Sequence, residues 1–258
     1  MHTKIYQFFN RSISICLFAL GVFGILASGG GGGGSEVIPD DDINGVWVDD
    51  FSFYTAMIGS NGSQVNIVSG AGQLAGGIHA LDGEVYASSL SEYYLPDGRL
   101  STIYSLINGT ASYKDSINIL YSHYSSTGDD FSLNLYYDIG LSERPSSLSR
   151  ISGIWSYSDV LGYTKTMTID SEGILFGSDT SGCIYSGSLS VDDSSMNIYR
   201  VRLAQTGTYQ GCSQYMPSGA GQGILMDTDS SDDTLLIAVT GQIAPLATAS
   251  KVHKLIRQ

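Results

Sequence analysis

An apolar–polar alternation with a period of two, cut about every ten residues by a turn dipeptide, runs through most of this chain. It leaves little besides antiparallel β-sheet for the chain to fold into. From Asp130 to Asp138, Phe131, Leu133, Leu135 and Tyr137 share one face; Ser132, Asn134 and Tyr136 share the other. Between Asn197 and Leu203, Tyr199, Val201 and Leu203 oppose Ile198, Arg200 and Arg202. From Tyr163 to Asp170, Thr164, Thr166 and Thr168 oppose Lys165, Met167 and Ile169. Asn61-Gly62, Asp82-Gly83, Asp97-Gly98, Asn108-Gly109, Glu172-Gly173 and Ser181-Gly182 supply the positive φ that tight hairpins need. Outside an apolar run near the N-terminus, no stretch carries a 3.6-residue period.

The pattern occurs twice. The two tryptophans sit in matching settings, Ile43-Asn44-Gly45-Val46-Trp47 and Ile151-Ser152-Gly153-Ile154-Trp155. Three further matches keep the same order. Gly83 to Ser91 parallels Gly182 to Ser190, Ile103-Tyr104 parallels Ile198-Tyr199, and Asp129-Asp130 parallels Asp232-Asp233. We therefore expect one unit over 43–145 and another over 151–258, joined by a linker at 146–150, each with its own core. Seven or eight strands per unit fit the turn spacing, and a meander of that length loses its edges by closing into a barrel. The expected fold is all-β: two tandem small antiparallel meander barrels.

Gly-x-Trp opening a β unit of about this length resembles the calycin proteins: lipocalins, fatty-acid-binding proteins and avidins. The resemblance implies a basic residue near the end of each barrel packed across the tryptophan. Arg144 would meet Trp47 and Arg257 would meet Trp155. A guanidinium over an indole contributes about 0.5–2 kcal/mol.

The N-terminal segment reads as an address. Lys4 and Arg11 precede the apolar run Ile13 to Ala27, which at 15 residues falls short of the ~20 that a spanning helix requires. We expect a signal peptide over 1–28 and no integral membrane span after processing. A Gly-rich acidic tether follows over 29–42, with six consecutive glycines at Gly29 to Gly34. Ile25 to Gly29 resembles the lipobox of bacterial lipoproteins, but Ser28 stands where that box requires cysteine. Lipid anchoring is therefore not expected, and the localisation expected is periplasmic, cell-surface or secreted. The whole arrangement is similar to uncharacterised two-unit poly-Gly lipoproteins of Gram-negative bacteria, through Tyr137-Asp138, Ser142 to Leu148, Thr168 to Gly173 and Ser178 to Gly187. That resemblance implies an envelope location and no particular chemistry.

Charge narrows the partners. The chain has 25 acidic against 12 basic residues and a formal charge of −13, which disfavours nucleic acid and anionic lipid surfaces. Cys183 and Cys212 follow the apolar run and lie in the second unit. In an exported chain they read as a disulfide closing a loop of about 30 residues, worth ~3–4 kcal/mol; two free thiols or a metal pair are the alternatives. No Cys-x-x-Cys or His-x-x-x-His accompanies them, so no metal site is expected. Counting an EF-hand loop from Asp227 puts Asp232 where glycine belongs and Ala238 where glutamate belongs, so that run reads as a solvated hairpin loop. No nucleophile elbow or phosphate loop occurs, and the obvious carboxylate pairs sit in turns. We expect no catalytic residues, no enzyme and no cofactor.

The 17 tyrosines, crowded in the first unit, suit either a binding surface or ordinary strands. The functional expectation is an exported non-catalytic envelope protein binding a small ligand or an envelope protein, with the ligand-binding residues undefined. The alternatives are a structural protein with filled barrels, or a secreted inhibitor acting through its loops. Large interior residues such as Phe131, Met167 and Phe176 would favour filled barrels.

Overall fold

In the computed structural model the described residues are 42–59, 64–94, 100–123, 131–207, 218–227, 232–244 and 247–258. The signal segment and nearly all of the tether lie outside them, as do Cys212 and the Asn61-Gly62 and Asp97-Gly98 dipeptides. Two closed eight-stranded antiparallel barrels follow one another along the chain. The first contains β1 (Gly45–Val48), β2 (Thr55–Ile58), β3 (Val65–Val68), β4 (Gly72–Leu81), β5 (Glu84–Tyr94), β6 (Leu100–Ala111), β7 (Ser116–His123) and β8 (Phe131–Tyr137). Two short helices, α1 (Ile139–Ser142) and α2 (Leu148–Ile151), connect it to the second. The second contains β9 (Gly153–Ser158), β10 (Thr164–Ile169), β11 (Ile174–Asp179), β12 (Cys183–Val191), β13 (Tyr199–Gly207), β14 (Gly219–Leu225), β15 (Thr234–Ala244) and β16 (Ala247–Arg257). The helices are one turn each, too short for a 3.6-residue period to register in sequence; Asp138 caps α1 by accepting from Leu141 N at 2.9 Å.

Each barrel closes at its tryptophan. Trp47 on β1 pairs with Tyr137 on β8, and Trp155 on β9 pairs with Arg257 on β16. Both indoles are fully buried, and each Nε1 donates to a carbonyl four residues back: Trp47 to Ile43 at 2.9 Å, Trp155 to Ile151 at 2.8 Å. Gly45 and Gly153 have φ of +142° and +136°, a region L side chains rarely adopt. A Cβ at Gly45 would lie 2.5 Å from the Tyr137 ring. The Gly-x-Trp spacing thus follows from a backbone that must pass close beneath the lid residue.

The two lids differ. The Arg257 guanidinium lies 4.3 Å from the Trp155 ring, as the calycin resemblance implies. In the first barrel Tyr137 occupies that place, edge-on to Trp47 at 5.1 Å, with the Lys114 ammonium 5.7 Å from the tyrosine ring. Arg144, expected across Trp47, instead reaches the second barrel, where its guanidinium pairs with Asp232. Arg150 also pairs with Asp232, its Nε donating to Oδ2 at 2.8 Å. Asp232 is therefore a half-buried anchor between the connector and the closed end of the second barrel, where a solvated loop was expected.

The downstream repeat matches do not mark equivalent positions. Gly83 to Ser91 runs along the fifth strand of its barrel, whereas Gly182 to Ser190 runs along the fourth of the other. Ile103-Tyr104 lies on a sixth strand and Ile198-Tyr199 at the start of a fifth. A one-strand shift in a meander reverses chain direction, so these matches reflect what every hairpin needs: a turn glycine, then alternation. Tyr86 is accordingly exposed while Tyr185 is buried. Asp82 and Gly83 have φ of 54° and 78°, as the tight turn requires, whereas Asn108-Gly109 lies inside β6 beside a bulge.

A third core lies between the barrels. The outward-facing Val46, Met57 and Val68 of the first pack against Ile224, Leu236 and Ala238 of the second. A chain of buried amides threads this contact. Asn66 and Gln222 meet at 2.7 Å, Gln73 Nε2 donates to Asn66 Oδ1 at 2.6 Å, and Ser250 Oγ donates to Gln73 Oε1. Beside it the Tyr93 hydroxyl donates to Thr248 Oγ1 at 3.0 Å. Each barrel has its own core, as expected, but the pair shares this interface as well. Gly219, Gly221 and Gly223 alternate along β14, where the neighbouring strand passes closely. A Cβ at Gly221 would sit 1.9 Å from Ala238 O.

Asn66→Ala would strand the buried amides of Gln73 and Gln222, each costing about 1–3 kcal/mol. Urea unfolding followed by hydrogen exchange should show both barrels losing protection at the same lowered midpoint. A shift confined to the first barrel would show that the interface does not couple them.

Candidate functional site

The second barrel is apolar at its tryptophan end and polar at the other, because its alternation keeps placing polar residues on inward positions near the mouth. Along β10, Lys165 shares the inward face with the buried Met167 and Ile169. Along β16, His253 precedes the buried Leu255 on the same face. Cys183 and Tyr185 on β12 and Gln205 on β13 are inward and buried too. They line a cavity of about 810 Å³ that also reaches Phe53 and Val68 of the first barrel.

Two hydrogen-bonded groups organise this layer. Lys165 Nζ lies 2.7 Å from His253 Nδ1. Asp179, at the end of β11, accepts from the Tyr185 hydroxyl at 2.6 Å and the Tyr163 hydroxyl at 2.9 Å. The Lys165 ammonium also lies 5.1 Å from the Tyr185 ring centroid and 5.7 Å from that of Tyr163. Burial, reinforced by the charge of Lys251 and opposed by that of Asp179, pulls Lys165 down to about 8. Burial, then the charges of Lys165 and Lys251, hold His253 well below the usual histidine range. Burial works against the Asp179 anion, but hydrogen bonds from Tyr185, Ser181, the Cys183 amide and Tyr163 outweigh it and lower that carboxyl. Burial and Asp179 together push Tyr185 far up, and burial raises Tyr163 to about 12.

An ammonium offers only N–H, so Nδ1 of the neutral His253 accepts from Lys165 and the imidazole proton sits on Nε2. Among the described residues, neither His253 Nε2 nor the Gln205 Oε1 acceptor has a hydrogen-bond partner, although both are buried. The mouth therefore presents a cation, a free donor and a free acceptor to its cavity.

In sequence Lys165 shares a face with Met167 and Ile169, a charge at a core-facing position. His253 has no metal-ligand spacing around it in sequence. The partner is 88 residues away in sequence, two strands across the closed wall. The tyrosine excess pointed to the first unit, whereas Tyr163 and Tyr185 of the second hold Asp179. Trp47, Trp155 and Arg257 sit at the closed ends, and Arg144 joins the connector to the second barrel. Cys183 lies in the mouth; Cys212 is outside the described residues. Of the three large side chains expected inside, Met167 is fully buried and Phe176 is exposed on the outer face. The Phe131 side chain lies outside the description. Comparison with protein-family models, curated proteins and solved structures finds no match.

The lowered Lys165 and His253 fix the pH dependence of stability. A buried base loses stability relative to the unfolded chain wherever only the unfolded state is protonated. Stability should therefore climb as pH rises through the acid side of 6.5, where His253 stops charging on unfolding. It should climb again, by ~2–3 kcal/mol, from about pH 8 toward 10 as the cost of the Lys165 ammonium lifts. Above 10 it should fall, because the raised Tyr185 and Tyr163 hydroxyls then ionise only on unfolding. Denaturant midpoints against pH check this, and Lys165→Met should erase the rise between 8 and 10.

Proposed function

We propose that this chain is an exported, non-catalytic envelope protein that holds a small ligand in the mouth of its second barrel. The observation that carries the reading is the pair of buried, unpartnered polar atoms, His253 Nε2 and Gln205 Oε1, facing a cavity of about 810 Å³. Buried donors and acceptors without partners are rare, and a bound polar molecule satisfies them. The export and envelope location rest on the apolar run and tether over 1–42 and on the likeness to two-unit poly-Gly lipoproteins. The filled-barrel alternative applies better to the first unit, whose interior residues, such as Ile67, Ile78, Leu90 and Ile117, are apolar and closely buried. The test is histidine nitrogen NMR of the full mature chain against a library of small polar molecules. Binding should move the His253 signals and raise the melting temperature. A library that leaves His253 unmoved would remove the ligand-binding reading.

We also propose that Cys183 and Cys212 form a disulfide. It would tie the buried start of β12, at the rim of the mouth, to the connection between β13 and β14. Alkylation of the unfolded, unreduced chain should leave both cysteines unmodified, and reduction should lower the melting point of the second barrel. Two alkylated thiols before reduction would overturn the pairing.

A further inference from the structure

Among the described residues no carboxylate is hydrogen-bonded to the Lys165 ammonium in the mouth. Asp179 is the carboxylate nearest in register to Lys165, since the two residues are direct partners across β10 and β11. Yet its oxygens are committed to Tyr185, Tyr163, Ser181 and the Cys183 amide. Asp159, also at the rim, accepts from the amides of Leu161 and Tyr163 in its own turn. Lys165 faces an imidazole instead of an anion, and Lys251 and Lys254 also line the cavity.

We propose that the second-barrel mouth binds a small organic carboxylate. The carboxylate accepts from the Lys165 ammonium, the His253 Nε2–H donates to a second acceptor on the same ligand, and Gln205 Oε1 accepts from a hydroxyl or amide on it. This rests on the reading of the mouth as a ligand site and names its ligand class. A monoanion matches the single charge of the Lys165 ammonium. A phosphate dianion would call for a guanidinium fork or a nest of backbone amides, and neither lines this cavity among the described residues. A neutral ligand would leave the half-buried ammonium without a counter-charge.

The site predicts its own pH response. The titratable groups lining the same cavity as Lys165 are Tyr157 on β9, Tyr163 and Asp159 ahead of β10, Asp179 on β11, Cys183 and Tyr185 on β12, and Lys251, His253 and Lys254 on β16. Of these, His253 stays neutral and Tyr163 and Tyr185 stay protonated between pH ~6.5 and ~9. Lys165, at about 8, titrates in this window. Carboxylate binding should therefore be strongest below pH 8 and weaken by about tenfold per unit above it.

The experiment uses the full mature chain and matched pairs: acetate with acetamide, benzoate with benzamide, and para-hydroxybenzoate with its amide. Binding is followed through the His253 and Lys165 nitrogen signals. Acids are expected to bind at least about tenfold more tightly than their amides, with the hydroxylated acid best, and to weaken above pH 8. Lys165→Met, which removes a buried charge and so should not unfold the barrel, is expected to abolish the preference for acids. Gln205→Leu is expected to abolish only the preference for the hydroxylated acid. Amides binding as tightly as acids would overturn the carboxylate assignment and leave the ligand site standing. If neither member of any pair moves His253, both fall.

Discussion

Everything in each barrel is arranged from the seam where a tryptophan on the first strand meets its partner on the eighth. That contact joins the two edges of a meander, and edges left open would be pairing sites for other chains. It needs a buried indole with its N–H satisfied locally, and a glycine two residues earlier that lets the backbone pass under the partner side chain. What caps the indole is less constrained. A guanidinium does it over Trp155 and a tyrosine edge over Trp47. With one end of each barrel sealed in this way, apolar residues fill the volume behind the seal. In the second barrel, polar inward positions collect at the opposite end.

The connector and the interface then make one body of two barrels. Ser142 bonds to both the amide and the carbonyl of Val46, at 2.8 and 2.9 Å, and its own carbonyl accepts from Asn197 N of the second unit at 2.9 Å. Arg144 and Arg150 bind the same aspartate. The amides between the barrels act as register pins. An apolar contact slides at small cost, whereas Asn66, Gln73 and Gln222 are satisfied in one alignment. That alignment brings Phe53 and Val68 of the first barrel to the cavity of the second, so the mouth belongs to the pair.

The fold was legible because its signals are local. Alternation, turn dipeptides and two Gly-x-Trp starts define strands and closure without knowledge of distant contacts. The interface was not, because it hides in outward positions that local alternation assigns to solvent. In β3, Val65-Asn66-Ile67-Val68 is buried on both faces, and its one sequence mark is an apolar residue where a polar one was due. The internal repeats misled for a related reason. Short hairpin patterns recur in any meander, and only the tryptophan motif is tied to one place in the barrel. The site fell between these cases. Lys165 was on the correct face, but its partners come from four other strands, and closure alone brings them together.

The arrangement of charge in the mouth is the strongest argument that it is more than a leftover of packing. Lys165 and Asp179 sit directly opposite each other on neighbouring strands, the simplest geometry for an ion pair that would silence both. The barrel instead surrounds Asp179 with two tyrosine hydroxyls and turns the ammonium toward a buried histidine. This costs stability twice, once in desolvating an ammonium without a counter-ion and once in leaving histidine and glutamine atoms without partners. A core selected for stability alone would place a leucine or methionine at position 165, as it does two residues further along the same strand at Met167. Keeping opposite charges apart across a strand pair leaves the cation, the donor and the acceptor all unspent on the cavity side, which is the condition for recognising something from outside.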